Sequence, residues 1–264
     1  MLVIITDGYS SLSREAARIV ANAITKKPDL RLGLATGSTP LGMYRELVRL
    51  HREEHLDVSK IVTFNLDEYL GLRPDHPQSY HRYMWQNLFD HVNISPENVH
   101  IPDGTPGNDY ESYCAQYEES IRQAGGIDLQ VLGIGTGGHI GFNEPASSFA
   151  SRTRVKTLTR KTIDDNRRLF SAEEEVPECA ITMGIGTILE ARKILLLATG
   201  PTKALAVAKA IEGPITSSVS ASALQLHRDV TLVLDEDAAG KLENTEYYRR
   251  VLEMTARFTP RRLW

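Results

Sequence analysis

The sequence predicts an α/β fold: a doubly wound parallel sheet with helices on both faces. Short apolar runs bounded by glycine or proline recur along the chain and read as strands buried on both sides. Amphipathic helical stretches alternate with them, as in strand–helix–strand units. Several runs end in turns rich in Gly, Ser and Thr, at the strand ends where open α/β sheets bind ligands. The 264 residues, 41% of them hydrophobic, are enough for one large domain, taken here as residues 1–264. A barrel of eight strand–helix units needs more clear repeats than the chain contains.

In order, Leu2 to Thr6 is a strand, and Ser10 to Lys26 is a helix with Leu12, Ala16, Ile19, Val20 and Ile24 on one face. The strand Leu32 to Ala35 ends in Thr36-Gly37-Ser38-Thr39-Pro40, and Pro40 suits the first turn of the next helix. A third strand, Ile61 to Asn65, runs straight into Leu66-Asp67-Glu68-Tyr69. Gly71 to Pro106 is irregular apart from a helix over Ser79 to His91, and Asn108 to Ala124 is helical. Leu129 to Ile134 is a central buried strand running into Gly133, Gly135, Gly137 and Gly138, then His139 and Glu144. Thr153 to Leu158 reads as a strand, the charged stretch Ile163 to Glu178 as exposed, and Met183 to Ala191 as a helix. Lys193 to Ala198 is a strand ending in Thr199-Gly200-Pro201-Thr202-Lys203, before a helix to Ile211. Val230 to Leu234 is the last strand and Tyr247 to Phe258 a C-terminal helix.

A formal net charge of −4 gives no reason to expect nucleic acid or an anionic membrane as partner, so any basic site is local. The two cysteines, Cys114 and Cys179, have no metal-type spacing and suit a reducing, cytoplasmic compartment. The N-terminal MLVIITDGYSS lacks a preceding basic region and reads as a strand rather than a signal peptide. No apolar stretch approaches the roughly 20 residues that span a bilayer.

Chemistry concentrates at the strand ends. His139 and Glu144 arrive there together with bare glycine backbone, which delivers an imidazole and a carboxylate to the strand end; the plainer alternative is a glycine-rich turn with a surface His and Glu. Asp67 and Glu68 end a buried strand, where a carboxylate is costly unless hydrogen-bonded or used; the place suits a general base, the alternative being that one of them caps the following turn. The turns Thr36 to Thr39 and Gly200 to Lys203 each open a helix, whose free N–H groups and partial positive charge favour an anion, and Lys203 adds a full charge. Gly133 to Gly138 satisfies G-x-G-x-x-G, but His139-Ile140-Gly141-Phe142 is a poor helix start, so a dinucleotide is not indicated. His51-Arg52-Glu53-Glu54-His55 fits a zinc pattern without a third ligand, and Ser147-Ser148 lacks a nucleophile elbow.

FNLDEYLGL (Phe64 to Leu72), GHIGFNEPASS (Gly138 to Ser148), SRTRVKTL (Ser151 to Leu158) and the Gly-Pro-Thr-Lys turn together resemble the glucosamine-6-phosphate deaminase family, from the first strand to about Glu236. The resemblance implies a modified doubly wound, Rossmann-like fold. It implies conversion of glucosamine 6-phosphate and water to fructose 6-phosphate and ammonia, with no metal or organic cofactor, and commonly a hexamer. Asp67 would be the base moving the C2 proton to C1, and His139 would open the sugar ring with Glu144 orienting it. Gly37, Ser38, Thr39, Arg168 and Lys203 would hold the phosphate, with Arg168 in a mobile lid near residues 158–180. Gly137 departs from the family, which has Asp or Asn there, and lacks a side chain to reach the imidazole. Met1, Ser147, Arg154, Lys156 and Thr157 match an activator site for N-acetylglucosamine 6-phosphate at a subunit boundary, with Tyr247 or Tyr248 near the place of an assisting tyrosine. The broad fold also serves 6-phosphogluconolactonase and ribose-5-phosphate isomerase, so a lactonase-like hydrolase and a non-catalytic sugar-phosphate sensor are the alternatives.

Overall fold

The computed structural model describes residues 1–258; the last six of the expected 1–264 domain lie outside the described residues. In chain order the elements are β1 (Leu2–Thr6), α1 (Tyr9–Lys26), β2 (Arg31–Leu34), α2 (Ser38–Glu54), β3 (Val62–Asn65), β4 (Asp67–Tyr69), α3 (Tyr80–Asn87) and β5 (Val99–His100). They continue with α4 (Tyr110–Gln123), β6 (Leu129–Gly133), β7 (Arg154–Thr157), α5 (Arg160–Arg167), β8 (Cys179–Thr182), α6 (Ile185–Leu189) and β9 (Lys193–Ala198). The chain closes with α7 (Ala204–Ile211), β10 (Val230–Asp235), α8 (Glu236–Ala239) and α9 (Thr245–Phe258).

Seven strands form one sheet, β1-β10-β9-β6-β2-β3-β5, with every pairing parallel. Alternation along each strand feeds two cores. Val131, Leu195, Leu197 and Val233 face α1 and α2 with Leu12, Val20, Met43 and Tyr44. Leu132, Leu196, Leu232 and Leu234 face the other side with Phe64, Tyr117, Val207 and Leu224. The chain winds outward in one direction from β2 through β3 to β5, and in the other from β6 through β9 to β10. The order therefore reverses between the neighbours β2 and β6, and a crevice opens beyond their carboxyl ends.

A second sheet was not expected from the sequence. It is antiparallel, with order β4-β8-β7, and its register aligns Asp67 with Thr182 and Thr182 with Arg154. It begins where β3 breaks after Asn65, and Met183 N–H donates to Leu66 O at 2.7 Å to seal the join. Strand β8 lies just before the helix expected from Met183; Met183 continues the strand's pairing to Leu66 and Gly184 caps the helix, so α6 spans only Ile185–Leu189 of the expected Met183 to Ala191. The helix expected over Ser79 to His91 stops at Asn87 and resumes as a 3₁₀ turn, Phe89–His91. The stretch Ile163 to Glu178, expected to be exposed, is only partly so. Phe170 and Val176 are buried with Tyr69, Phe142 and Leu158 in a third apolar cluster over the second sheet.

Candidate active site

The loop after β6 reverses sharply. Gly138 N–H donates to Gly135 O at 2.9 Å and Gly135 N–H donates to His139 O at 2.8 Å. The imidazole folds back over Gly135, where a methyl group would overlap the ring, so position 135 must be glycine for this histidine pose. His139 Nδ1 stands 3.6 Å from Glu144 Oε2, longer than a hydrogen bond and an ion pair only when the imidazole is protonated. Glu144 is buried, and Thr159 donates to its Oε1 through N–H at 3.1 Å and Oγ1 at 3.3 Å. Burial holds the His139 proton affinity below the usual imidazole range. The Glu144 carboxylate opposes that shift and Lys203 adds to it. A predominantly neutral imidazole results, able to accept a proton near neutral pH.

Asp67 points into the same crevice from β4. It is buried, and Thr182 Oγ1 lies 3.5 Å from its Oδ2. Burial first, and the neighbouring Glu68 second, push its carboxyl up to about 8. Glu68 faces the other way and caps α3: its oxygens accept N–H bonds from Tyr69, Tyr80 and His81 at 2.8, 2.9 and 2.9 Å. Desolvation nevertheless pushes Glu68 up to about 7. So the two adjacent carboxylates face opposite ways, Asp67 into the crevice and Glu68 onto the start of α3. Gly141, at φ +54°, passes beside Asp67; a Cβ there would lie 3.4 Å from Asp67 Oδ2 and 2.9 Å from Thr182 Oγ1.

At the opposite wall the turn after β2 opens α2 with Gly37 at φ +103° before Ser38. Three tyrosines brace it: Tyr44 Oη donates to Ala35 O, Tyr83 Oη to Gly37 O, and Tyr9 Oη to Ser38 O. Gly200, at φ +84°, makes the equivalent turn after β9 and leads to Lys203. Burial lowers the Lys203 pKa, and Lys161 and Arg168 nearby lower it further against the opposing pull of Asp165. Asp165 is held by Thr136 Oγ1 at 2.7 Å and Lys161 Nζ at 3.3 Å, which ties α5 to the glycine loop.

A cavity of about 880 Å³ is lined together by Gly37, Ser38, Thr39, Asp67, His139, Arg168 and Lys203. Chain folding thus gathers seven of the residues singled out from the sequence, with Glu144 directly behind His139. Gly137 adjoins the imidazole: a Cβ built there would lie 3.9 Å from His139 Nδ1 and touch nothing else. The proposed activator residues are gathered only in part. Ser147 Oγ accepts from Arg154 Nη2 at 3.1 Å. Met1 directly precedes β1, at the edge of the large sheet. Tyr247 is exposed and Tyr248 donates to Glu212 at 3.0 Å. Sequence reasoning missed Tyr69 and Tyr80 on the cavity wall, as well as Asn143, Thr159, Thr182 and Ser220 behind it. Of these, Asn143 stood inside the Phe-Asn-Glu-Pro motif, whereas the others carry no signal that distinguishes them from ordinary core or capping residues. Among the described residues no group of three or more His, Cys, Asp and Glu is arranged to hold a metal ion.

Against known proteins, the family described as glucosamine-6-phosphate isomerases/6-phosphogluconolactonase matches residues 7–233. A glucosamine-6-phosphate deaminase of Thermoanaerobacter sp. (strain X514) is 54% identical over 246 residues, 93% of this chain and 97% of that one. A solved structure of a monomeric glucosamine-6-phosphate deaminase superposes with a TM-score of 0.89 at 50% identity, over 91% of this chain and all of the other. The 6-phosphogluconolactonase of Trypanosoma brucei, at 22% identity and a TM-score of 0.71 over 91% of this chain and 98% of its own, shares the fold.

Proposed function

The chain belongs to the glucosamine-6-phosphate isomerase/6-phosphogluconolactonase family, and from that membership we propose how its site works as the deaminase it is: an enzyme converting glucosamine 6-phosphate and water to fructose 6-phosphate and ammonia. The N–H groups of Gly37, Ser38 and Thr39 at the start of α2 receive the phosphate, with Lys203 and Arg168 as its counter-cations. His139, kept neutral by burial and oriented by Glu144, transfers the proton that opens the pyranose to the aldehyde. Asp67 takes the proton from C2 and returns it to C1, passing through an enolamine. Water then adds at C2 and ammonia leaves, giving the ketose.

One observation carries this assignment. A buried carboxylate, the imidazole and a cation-lined helix start together line one cavity of about 880 Å³. The residues 158–180 act as the lid, since α5 brings Arg168 to the cavity and Phe170 packs on Tyr69. The proposal takes the whole chain as one domain, needs no cofactor, and places it in the cytoplasm. It extends to activation by N-acetylglucosamine 6-phosphate at Met1, Ser147, Arg154, Lys156 and Thr157 and to assembly as a hexamer.

The deciding experiment is ammonia release from glucosamine 6-phosphate, with fructose 6-phosphate counted in parallel and the activator present or absent. Equimolar products are expected. Binding of the sugar phosphate without ammonia would replace the enzyme by a sensor, and hydrolysis of a 6-phosphate lactone instead would favour the lactonase. Light scattering reads the assembly: particles of 29.4 kDa would overturn the hexamer.

A further inference from the structure

We propose that Arg154 is a positioning residue of the basal reaction, holding Glu144, and through it His139, in register with Asp67. The inference rests on the reading of Asp67 and His139 as the reacting groups. It gives Arg154 a task that needs no activator.

The three strands of the antiparallel sheet align Asp67, Thr182 and Arg154 in one row, and paired residues of antiparallel strands share a face. The segment from Gly141 to Ser147 lies across that row and is gripped at each step. Gly141 passes beside Asp67. Phe142 N–H donates to Thr182 Oγ1 at 3.0 Å. Arg154 Nη1 donates to Asn143 Oδ1 at 2.8 Å and its Nη2 to Ser147 Oγ at 3.1 Å. Those two acceptors bracket Glu144 in sequence, and Ser147 Oγ in turn donates to Glu144 O at 2.7 Å. The fully buried Asn143 amide spends its own N–H groups on Ile140 O and Met183 O, at 2.8 and 2.9 Å. Its Oδ1 therefore depends on Arg154. Moving the guanidinium would leave a buried acceptor unsatisfied on one side of Glu144 and a loosened serine on the other.

The guanidinium is unusual in what it lacks. It is half-buried, and its described partners are neutral oxygens: Asn143, Ser147 and the carbonyl of Arg152. An arginine kept for fold stability alone is ordinarily paired with a carboxylate. Cys114 of α4 is the titratable neighbour that bears on it, and both residues line a second cavity of about 1280 Å³. The charge is thus aimed at the loop's neutral acceptors. The groups facing His139 are Glu144 on its own loop, Lys203 before α7, and Lys161 and Asp165 on α5. Of these, Glu144 alone is reached through Arg154.

The test compares full-length wild type, Arg154→Met and Arg154→Lys by steady-state kinetics and by NMR titration of the His139 imidazole in labelled protein. In Arg154→Met, kcat is expected to fall about ten- to a hundredfold, the worth of one charge-assisted hydrogen bond felt in the transition state. KM should stay within about twofold, because no phosphate contact is touched. The His139 titration should move to lower pH, since the Glu144 carboxylate that raises its proton affinity has drifted away. Arg154→Lys, reaching one acceptor, should recover part of both. An unchanged kcat, or a fall in kcat with the His139 titration unmoved, overturns the proposal. Should Arg154→Met fail to fold, Ser147→Ala carries the same test: a smaller shift in the same direction supports the brace, and none overturns it. Wild type that released no ammonia would defeat the functional reading, while the NMR titration would still decide whether Arg154 positions the imidazole.

Discussion

An ordinary aspartate is fully ionised at neutral pH; Asp67, raised to about 8 by burial beside Glu68, is not. A base with that proton affinity can take a proton from carbon and give it back, which a carboxyl at its usual value near 4 does poorly. We expect the acid limb of kcat against pH to fall between about 7 and 8, as macroscopic values of the Asp67–Glu68 pair. A limb near pH 4 would contradict the assignment. Asp67→Asn should lose about 10²- to 10⁴-fold in kcat with little change in KM. Gly137 offers the converse experiment. Its backbone is free of positive-φ strain and its virtual Cβ points at His139 Nδ1, so Gly137→Asp can place a carboxylate on the imidazole without displacing anything. The expected gain in kcat is up to about tenfold, with the His139 limb moved to higher pH. Unchanged turnover and pH profile would mean that Glu144 already suffices.

The short elements around the crevice do more than link the large ones. Strand β4 has only three residues, yet it turns Asp67 into the cavity and Glu68 onto the N-terminus of α3. Helix α5 is anchored at its start by Thr159, whose Oγ1 accepts Thr162 N–H at 3.3 Å while its own N–H serves Glu144. Past its end, Phe170 seats on Tyr69 with ring centroids 5.7 Å apart. Between these anchors the helix buries only Thr162, leans Ile163 on the third cluster and ties Asp165 to Thr136, few contacts for a segment expected to open locally without unfolding the sheet. Phe170→Ala should therefore raise KM about tenfold, equivalent to roughly 1.4 kcal/mol of lost closure. It should also speed proteolysis between residues 158 and 180 while leaving the main melting transition nearly in place. Loss of the whole fold at lower temperature would assign Phe170 to the core instead.

Across the whole molecule, the site occupies the point where the sheet order reverses, so each wall comes from a different part of the chain. The price of the arrangement is a buried carboxyl, and it appears in the pH dependence of stability. Asp67 binds its proton more tightly when folded, at about 8, than when unfolded, near 3.9. Its contribution to stability is present below about pH 4 and is lost as pH rises through about 8. Asp67→Asn should thus melt higher than wild type at pH 9 and much like it at pH 4. Parallel melting curves of the two proteins across that range would show that Asp67 is not perturbed.

Each parallel strand that the sequence predicted is present because a strand buried on both faces must be a continuous apolar run, and nothing else in the chain resembles one. The anion turns, Asp67 and the His139–Glu144 pair were legible for a related reason. Glycines and ionisable groups at the end of such a run have no structural need to be there. What the sequence left undecided was which way Asp67 and Glu68 each face, whether the charged stretch after Ile163 is covered, and that a second sheet exists. Tertiary structure decided these, because the deciding contacts are remote. Asp67 meets Thr182 across 115 residues, and Arg154 meets Asn143 across a loop whose polar side chains follow no period. Arg154–Thr157 lies within a strand the sequence predicted, but a strand as short and polar as Asp67–Tyr69 has no pattern of its own, and neither announces the sheet it joins. Both pair with β8, and the loop after β6, folded back on its glycines, lies across them through Phe142 and Asn143.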